Sequence, residues 1–177
     1  MYFLHRGEDY LDVSGLSFRD FMAGSLPGFE GQFPSMADFE DHVTTAFPEV
    51  RLKGYLEMRG ADGGSWGNIC ALPALWVGLL YDDGALDAAE SLIKGITASD
   101  VEAARMAVAK DGLQAEMAGR SVHKIAHEVL EIAEAGLKSR KLLDSKGEDE
   151  RKYLAPLQEI VKSGKTYADE MLDKYYS

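Results

Sequence analysis

The pattern of apolar and polar positions between residues 51 and 64 is the most distinctive in this chain. Polar and apolar side chains alternate with a period of two over residues 51–59, which is typical of a β-strand. Leucines and a methionine fall on one face of the predicted strand, and a polar or aromatic row falls on the other: Arg51, Lys53, Tyr55, Glu57 and Arg59. A glycine-rich loop at residues 60–64 then ends the strand. An acid between a phenol and a guanidinium on one face is suited to line a pocket that binds charged substrates.

The rest of the first half predicts further strands and short helices around this segment. Residues 2–6 and 10–13 flank Gly7 and predict a β-hairpin with a glycine turn. Ser17 and Ser35 each precede an apolar stripe and predict the starts of two short helices. The second helix is expected to carry Phe47 on its apolar face and to stop at Pro48. Residues 69–81 mix bulky apolar side chains with alanine and glycine, and they predict a buried helix.

The second half predicts consecutive amphipathic helices. Ser99 and Glu102 have the spacing of a capping box at a helix start. The strongest helical period runs over residues 120–138, with apolar side chains three and four positions apart. Two further helices are predicted around residues 153–161 and 168–175.

Together these elements predict an α+β chain. Its 177 residues suffice for one ordinary domain with a helical annex. Residues 1–83 hold four of the five prolines and both tryptophans, whereas residues 84–177 are rich in Ala, Glu, Lys and Leu. We therefore predict a sheet-forming region at 1–83 and a helical region at 84–177, packed as one unit.

Composition and charge argue against several classes of protein. A hydrophobic content of 46% is typical of a globular chain, and a net charge of −11 argues against a general nucleic-acid or anionic-membrane partner. The longest apolar stretch, at 69–81, is too short for a transmembrane helix, and residues 1–6 lack the basic region of a secretory leader. Cys70 is the single cysteine and cannot form an intrachain disulfide. We therefore expect a reduced, cytoplasmic protein.

Four ordered segments carry a resemblance to a known family. They are MYFLHR at 1–6, DVSGLSFRDF at 12–21, FPEVRLKGYLEMRGADGG at 47–64 and ICALPALWVGLLYD at 69–82. These segments resemble the plant and proteobacterial type of glutamate–cysteine ligase. Chains of that family are more than twice this length, and these segments belong to their C-terminal part. The resemblance implies that this chain is a C-terminal portion, whether as an expressed fragment, a split gene or a truncated homologue.

The resemblance also implies a fold and a reaction. The implied fold is glutamine-synthetase-like, in which helices back a curved antiparallel sheet whose concave face is the active site. The implied reaction joins the γ-carboxylate of L-glutamate to the amine of L-cysteine, which is the first step of glutathione biosynthesis. ATP is hydrolysed, a γ-glutamyl phosphate is formed, and Mg²⁺ is required. A C-terminal portion alone is expected to be incomplete and inactive.

Single residues take roles from the same resemblance. Glu57 matches the acid that binds magnesium in such ligases, and Arg59 matches the arginine that contacts the reacting carboxylate or the transferring phosphoryl group. On one strand the two residues would lie roughly 7 Å apart. Phosphoryl transfer depends mainly on positioning and on neutralisation of charge, which suits both residues. The resemblance leaves four weaker candidates for substrate binding: Tyr2, Arg6, Tyr55 and Asp62.

Other interpretations stay open for the same chain. Without the resemblance, Glu57 and Arg59 would be a surface or cross-strand ion pair. A second interpretation is that the chain is a non-catalytic interaction module or half of a split ligase. In that case it would form a homodimer, or pair with a missing N-terminal part, through an exposed sheet edge. A related ligase with a different amine acceptor is the third alternative. Family members commonly carry arginine where this chain has Gly54, so substrate or phosphate binding is expected to be weaker here.

Overall fold

A computed structural model describes residues 1–52 and 54–177 of the chain. The chain folds as two units, Met1–Ala61 and Asp62–Ser177. The expected division after residue 83 falls inside the second unit, because the helix predicted at 69–81 packs against later helices. Lys53, which was expected in the polar row of residues 51–59, lies outside the described residues.

The first unit contains the predicted β-hairpin. Strand β1 (Phe3–Arg6) pairs antiparallel with β2 (Asp9–Asp12), and Gly7 makes the turn with a φ of +63°. Glycine is suited to this position because it adopts a positive φ without steric cost. Two short helices follow, α1 (Phe18–Met22) and α2 (Met36–Thr44), and each is capped by the predicted serine. The buried core of this unit comprises Leu4, Val13, Phe21 and Leu26.

Residues 50–52 and 56–58 form two paired strands of a second hairpin, so the prediction of one continuous strand is wrong. Strand β3 (Val50–Leu52) pairs antiparallel with β4 (Leu56–Met58). Gly54 lies between the two strands, and glycine weakens a strand interior because it has no side chain to pack. Arg51 and Glu57 still share one face, because they lie directly opposite each other. The period of two therefore continues through the turn and could not reveal it.

The described strands form separate two-stranded antiparallel sheets. A third hairpin joins β5 (Glu116–Met117) to β6 (Arg120–Ser121) through Ala118 and Gly119, whose φ values are +51° and +72°. Sequence patterns did not predict this hairpin, because strands of two residues are too short to show a period. The α+β class is confirmed, and the structure is mostly helical. The described residues do not form the larger curved sheet that the resemblance implies.

The second unit is mostly helical. Its α-helices are α3 (Trp66–Leu80), α4 (Asp83–Ile93), α5 (Ala98–Asp111), α6 (Val122–Arg140), α7 (Ala155–Ser163) and α8 (Tyr167–Tyr176). The capping box of α5 is formed by Thr97 with Asp100, which corrects the predicted box that began at Ser99. Thr97 has the extended backbone of an N-cap residue, whereas Ser99 already lies inside the helix. Within the described residues no single helix is long and apolar enough to cross a membrane; α3 and α4 meet that criterion only as a pair bent by 93°.

The centre of the second unit is the crossing of α3 and α6. Gly78 of α3 and Gly136 of α6 meet there, and a Cβ built on Gly136 would lie 1.9 Å from the carbonyl oxygen of Gly78. A Cβ on Gly78 would lie 2.4 Å from the carbonyl oxygen of Ala133. Glycine at both positions therefore allows the two helix backbones to touch. The buried residues that surround the crossing are Ala74, Leu79, Leu130, Ala133, Leu137, Leu154 and Val161.

Gly136→Ala is expected to destabilise the protein by about 2–3 kcal/mol, because the added methyl group has no space and must separate the helices. Urea unfolding followed by circular dichroism measures this. Gly63→Ala is the matched control, because a Cβ there meets nothing within 4 Å, and its free energy of unfolding should change by less than about 0.5 kcal/mol. Equal stability of the two variants would contradict the close contact of α3 with α6.

Candidate functional site

The β3–β4 hairpin brings Arg51 and Glu57 into direct contact. They are opposite each other in the antiparallel register, which places both side chains on the same face. The Nε and Nη2 atoms of Arg51 each lie 2.7 Å from Oε2 of Glu57. The planar guanidinium thus directs two N–H groups at one carboxylate oxygen. An ion pair at Glu57 is confirmed, and its nearer partner is Arg51.

Arg59 follows β4 and is held by several contacts. Its backbone N–H donates to the carbonyl oxygen of Glu49 at 2.7 Å, and its Nη1 lies 4.0 Å from Oε2 of Glu57. Its Cζ lies 5.3 Å from the centroid of the Phe47 ring, in a cation–π contact. Nη1 is buried and has no hydrogen-bond partner among the described residues. Because an unpaired buried N–H raises the free energy of the folded protein, an oxyanion that accepts from it would be stabilising.

The three side chains form a cluster with one excess positive charge, although the whole chain carries −11. We call Arg51, Glu57 and Arg59 the arginine–glutamate cluster. Their side chains are 38%, 32% and 26% exposed, so solvent reaches the cluster and partly screens it. Guanidinium groups match the planar geometry of carboxylate and phosphate oxygens. The cluster is therefore suited to bind a small anion of either kind.

Two contributors to the cluster received no site role from the sequence. Arg51 was placed on the same face as Glu57, but the predicted single strand would have kept the two side chains apart; the hairpin register brings them together. Phe47 was expected on the apolar face of the preceding helix, but α2 ends at Thr44. Its position over Arg59 depends on the path of the chain between α2 and β3, for which no local pattern exists.

The weaker substrate-binding candidates lie at separate places in the structure. Tyr2 lies just before β1, and Tyr55 lies just before β4. The two residues are 62% and 64% exposed. Because β1–β2 and β3–β4 are separate sheets, strand pairing does not place Tyr2, Arg6 and Tyr55 on a common face. Asp62 is exposed and begins the second unit. Substrate binding by these residues stays a prediction.

Arg6 contributes to the packing of the first unit. Its Nη1 donates to Oδ1 of Asp38 at 2.5 Å, and its Cζ lies 5.9 Å from the centroid of the Phe21 ring. Asp38 is 7% exposed and also accepts hydrogen bonds from the backbone N–H and hydroxyl of Ser35. Burial acts to raise the pKa of Asp38, but the hydrogen bonds from Arg6 and Ser35 outweigh it and hold the pKa below its ordinary value. The predicted helix start at Ser35 lies next to Asp38, but a local pattern could not reveal that Asp38 has a partner 32 residues away.

The carboxylate of Glu57 has the right chemistry for magnesium, which prefers oxygen ligands. Among the described residues, however, no group of three or more His, Cys, Asp or Glu side chains is placed to hold a metal ion. Glu57 is also paired with Arg51. A magnesium-binding role for Glu57 therefore stays a prediction.

Comparison with known proteins identifies the family. The sequence profile of glutamate-cysteine ligase family 2 matches residues 3–176. The chain belongs to this family. It is 45% identical over 176 residues to "Glutamate--cysteine ligase, chloroplastic" of Solanum lycopersicum and 45% identical over 175 residues to the protein of that name from Arabidopsis thaliana. It is 43% identical over 175 residues to "Glutamate--cysteine ligase A, chloroplastic" of Oryza sativa subsp. indica. The resemblance carried by the four segments is confirmed.

These alignments cover 99% of this chain but 32%, 32% and 34% of the respective relatives. The chain therefore spans about a third of the length of the curated relatives that it matches. The three relatives are described as chloroplastic, and the expectation of a cytoplasmic protein is wrong on this finding. An acidic composition and an unpaired cysteine do not distinguish the cytosol from other reducing compartments, so they could not decide this point.

Arg6→Gln is expected to destabilise the protein by about 2 kcal/mol, because it leaves the buried Asp38 carboxylate without its cation. The folded-state pKa of Asp38 is lowered. The contribution of the pair is therefore present above the pKa of an unfolded aspartate, about 3.9, and is lost as the pH falls below it. Urea unfolding at several pH values should show a constant difference between wild type and variant above about pH 5, and a difference that shrinks as the pH falls towards about 3.

Tyr2→Phe is the control for this experiment, since it removes one exposed hydroxyl from the same unit. We expect it to change the free energy of unfolding by less than about 0.5 kcal/mol at every pH. A difference between wild type and Arg6→Gln that stays constant with pH would show that the Asp38 carboxylate does not depend on Arg6.

Proposed function

We propose that this chain supplies the C-terminal part of a glutamate–cysteine ligase and one wall of its active site. The observation that supports this is the arginine–glutamate cluster, in which the buried Nη1 of Arg59 lies 4.0 Å from the Glu57 carboxylate and has no hydrogen-bond partner among the described residues. The complete enzyme would join the γ-carboxylate of L-glutamate to the amine of L-cysteine through γ-glutamyl phosphate, with hydrolysis of ATP. Because the chain spans about a third of its relatives, little or no ligase activity is expected from it alone.

Each residue of the cluster has a proposed role in that reaction. Arg59 donates hydrogen bonds to the γ-carboxylate or to the transferring phosphoryl group, where negative charge must be stabilised. Glu57 is one ligand of the magnesium ion, which when bound neutralises phosphate charge. Tyr2, Arg6, Tyr55 and Asp62 are the proposed substrate contacts, although Arg6 is engaged by Asp38.

We propose further that the first two hairpins join a larger, glutamine-synthetase-like antiparallel sheet in the complete protein. Each is a two-stranded sheet with unpaired edges among the described residues. The face of β3–β4 opposite the cluster is apolar and uncovered: Val50, Leu52 and Leu56 are 46%, 79% and 59% exposed. Additional strands would satisfy the edges, and packing would cover the apolar face.

A chimera tests the catalytic proposal. The matching third of the Solanum lycopersicum ligase is replaced by this chain, and ATP-dependent formation of γ-glutamylcysteine is measured. We expect the chimera to be active and Arg59→Gln to lower its kcat about 10²–10³-fold, because a donor to the developing negative charge is lost. Arg120→Gln, which removes a guanidinium from an ion pair in the second unit, is the control and should leave kcat unchanged.

Two results would contradict this proposal. A folded but inactive chimera would show that the chain does not form the catalytic wall. Robust ligase activity of the isolated chain would show that the chain is sufficient for catalysis by itself. The same assay with other amino acids in place of L-cysteine tests the alternative of a different amine acceptor.

The uncovered face of β3–β4 favours a second candidate function, that of an interaction module. In this case the chain forms a homodimer, or pairs with a separate N-terminal part, through the hairpin. Exposed apolar side chains, together with the unpaired edges of a short sheet, promote such association. This alternative needs no catalytic role for Arg59.

Light scattering tests this second candidate. We expect a dimer at tens of micromolar protein and a monomer for Leu52→Lys, because a charge on the uncovered face opposes its burial. Leu142→Lys alters another exposed leucine, 50% exposed in the second unit, and should not change the mass. A monomeric wild-type chain at every concentration would rule out the homodimer.

A further inference from the structure

Helix α8 (Tyr167–Tyr176) has an apolar half and a polar half. With 3.6 residues per turn, its large apolar side chains fall within one half of the helix circumference and its charged side chains fall within the other. The apolar half comprises Tyr167, Ala168, Met171, Leu172, Tyr175 and Tyr176, and the polar half comprises Asp169, Glu170, Asp173 and Lys174. The five large apolar residues are between 46% and 81% exposed. The apolar half of α8 is therefore uncovered in the part of the chain that the structure describes.

Local contacts, rather than packing, hold α8 in place. Thr166 and Asp169 form a capping box at its start, and the Tyr167 hydroxyl lies 3.4 Å from Oγ of Ser65. The helix contains no buried residue and makes few contacts with the other described elements. A helix of about ten residues is marginal in water, and most helices in proteins are stabilised by packing of an apolar face. Helix α8 thus has the cap and the pattern of a packed helix without the packing.

The apolar half of α8 is too small to bind a separate protein tightly by itself. At a rise of about 1.5 Å per residue, the helix is roughly 15 Å long and about 10 Å wide. One half of it covers on the order of a few hundred Å² of a partner, whereas a stable interface between separate proteins buries about 800 Å² on each side. A segment of the same polypeptide avoids most of the entropy cost of association. The size of the surface therefore favours an occupant joined to the same polypeptide.

The length of the relatives supplies such an occupant. The family profile matches residues 3–176, so α8 lies within the region that is shared with glutamate–cysteine ligases. The alignments cover 99% of this chain but 32–34% of the relatives, which leaves about two thirds of their length outside the match. A ligase of that length contains ample further chain to cover one face of a short helix.

The polar half of α8 indicates the chemistry of the occupant. Asp169, Glu170 and Asp173 carry negative charges there, against the single positive charge of Lys174. The border of the apolar half is therefore acidic. A complementary surface is apolar with basic side chains at its edge. The same acidic border disfavours the packing of two copies of α8, because like charges would be brought together.

We propose that the apolar half of α8 is a docking surface for the part of the ligase polypeptide that lies outside the match. The occupant is an apolar surface of that part, with basic side chains at its edge. Docking there anchors the helical unit to the rest of the enzyme. This inference rests on the proposed function, in which the chain is one part of a longer ligase, and it assigns a partner to a surface other than the β3–β4 hairpin.

Hydrogen exchange followed by mass spectrometry tests the docking surface in the isolated chain and in the Solanum lycopersicum chimera. In the isolated chain, the amides of α8 should exchange within about tenfold of the rate of an unstructured peptide, because an uncovered short helix opens readily. The amides of α6 are the internal reference, since Ala133 and Leu137 are fully buried. In the chimera, the amides of α8 should exchange at least about tenfold more slowly than in the isolated chain, because docking covers the helix.

Met171→Lys and Met106→Lys form a matched pair of variants. Met171 of α8 is 65% exposed, and Met106 of α5 is 68% exposed. Met106 lies two positions after the buried Ala104 and therefore on the opposite side of α5. In the isolated chain, both variants should unfold within about 2 °C of wild type. In the chimera, only Met171→Lys should return the exchange of α8 to the rate of the isolated chain, because docking would bury its ammonium group.

The outcomes separate this inference from the proposed function. An active chimera in which α8 exchanges as fast as in the isolated chain would overturn the docking surface and leave the ligase proposal intact. An inactive chimera with a protected α8 would contradict the catalytic wall and support the docking surface.

The isolated chain decides the inference even if the chimera does not fold. Rapid exchange of α8 supports an uncovered docking surface, whereas protection equal to that of α6 would overturn it. Light scattering provides a second measurement. If Met171→Lys converts a dimer of the isolated chain into a monomer, a second copy is the occupant and the inference is wrong.

Discussion

The contact between Gly78 and Gly136 is the constraint on which the helical unit depends. Because neither residue has a side chain, α3 and α6 cross with their backbones touching. Leu79 and Leu137 are buried in the core cluster around the crossing, and α4, α7 and the 3-10 helix at Glu150–Leu154 pack against the same two helices. A close-packed interior tolerates little added volume, so a methyl group at the crossing affects every element that covers it.

In the first unit, the register of the β3–β4 strand pair determines which charged side chains meet. The β3–β4 pairing places Arg51 opposite Glu57, and Arg59 follows at the end of the same hairpin with Phe47 against its guanidinium. One acid is thus shared by two arginines. The two guanidinium groups explain why the cluster is suited to bind oxyanions. The family match covers the whole hairpin.

Much of the local structure could be predicted, and the failures have identifiable causes. Ser17 and Ser35 were correct as helix starts, because an N-cap bonds to amides two or three residues away. The turn around Gly54 was missed because residues 51 and 57 are paired in the hairpin. With that pairing, the alternation of polar and apolar side chains continues from one strand to the next. The polar row at 51–59 placed Glu57 and Arg59 on one face, but it could not reveal that Arg51 holds the carboxylate. Arg6 was expected to face substrate, and its pairing with Asp38 depends on how α2 packs against β1.

By itself the sequence determined the family, the α+β class, and the position of most helices and of the first hairpin. Caps, turns and apolar periods depend on residues within a few positions of each other, so they can be read without coordinates. Only the tertiary structure decided that Arg51 is the close partner of Glu57, that Asp38 engages Arg6, and that Gly78 meets Gly136. These contacts follow from strand register and from the packing of whole elements. The physical reason is that such contacts are selected by the burial of many side chains at once, and no local preference specifies them.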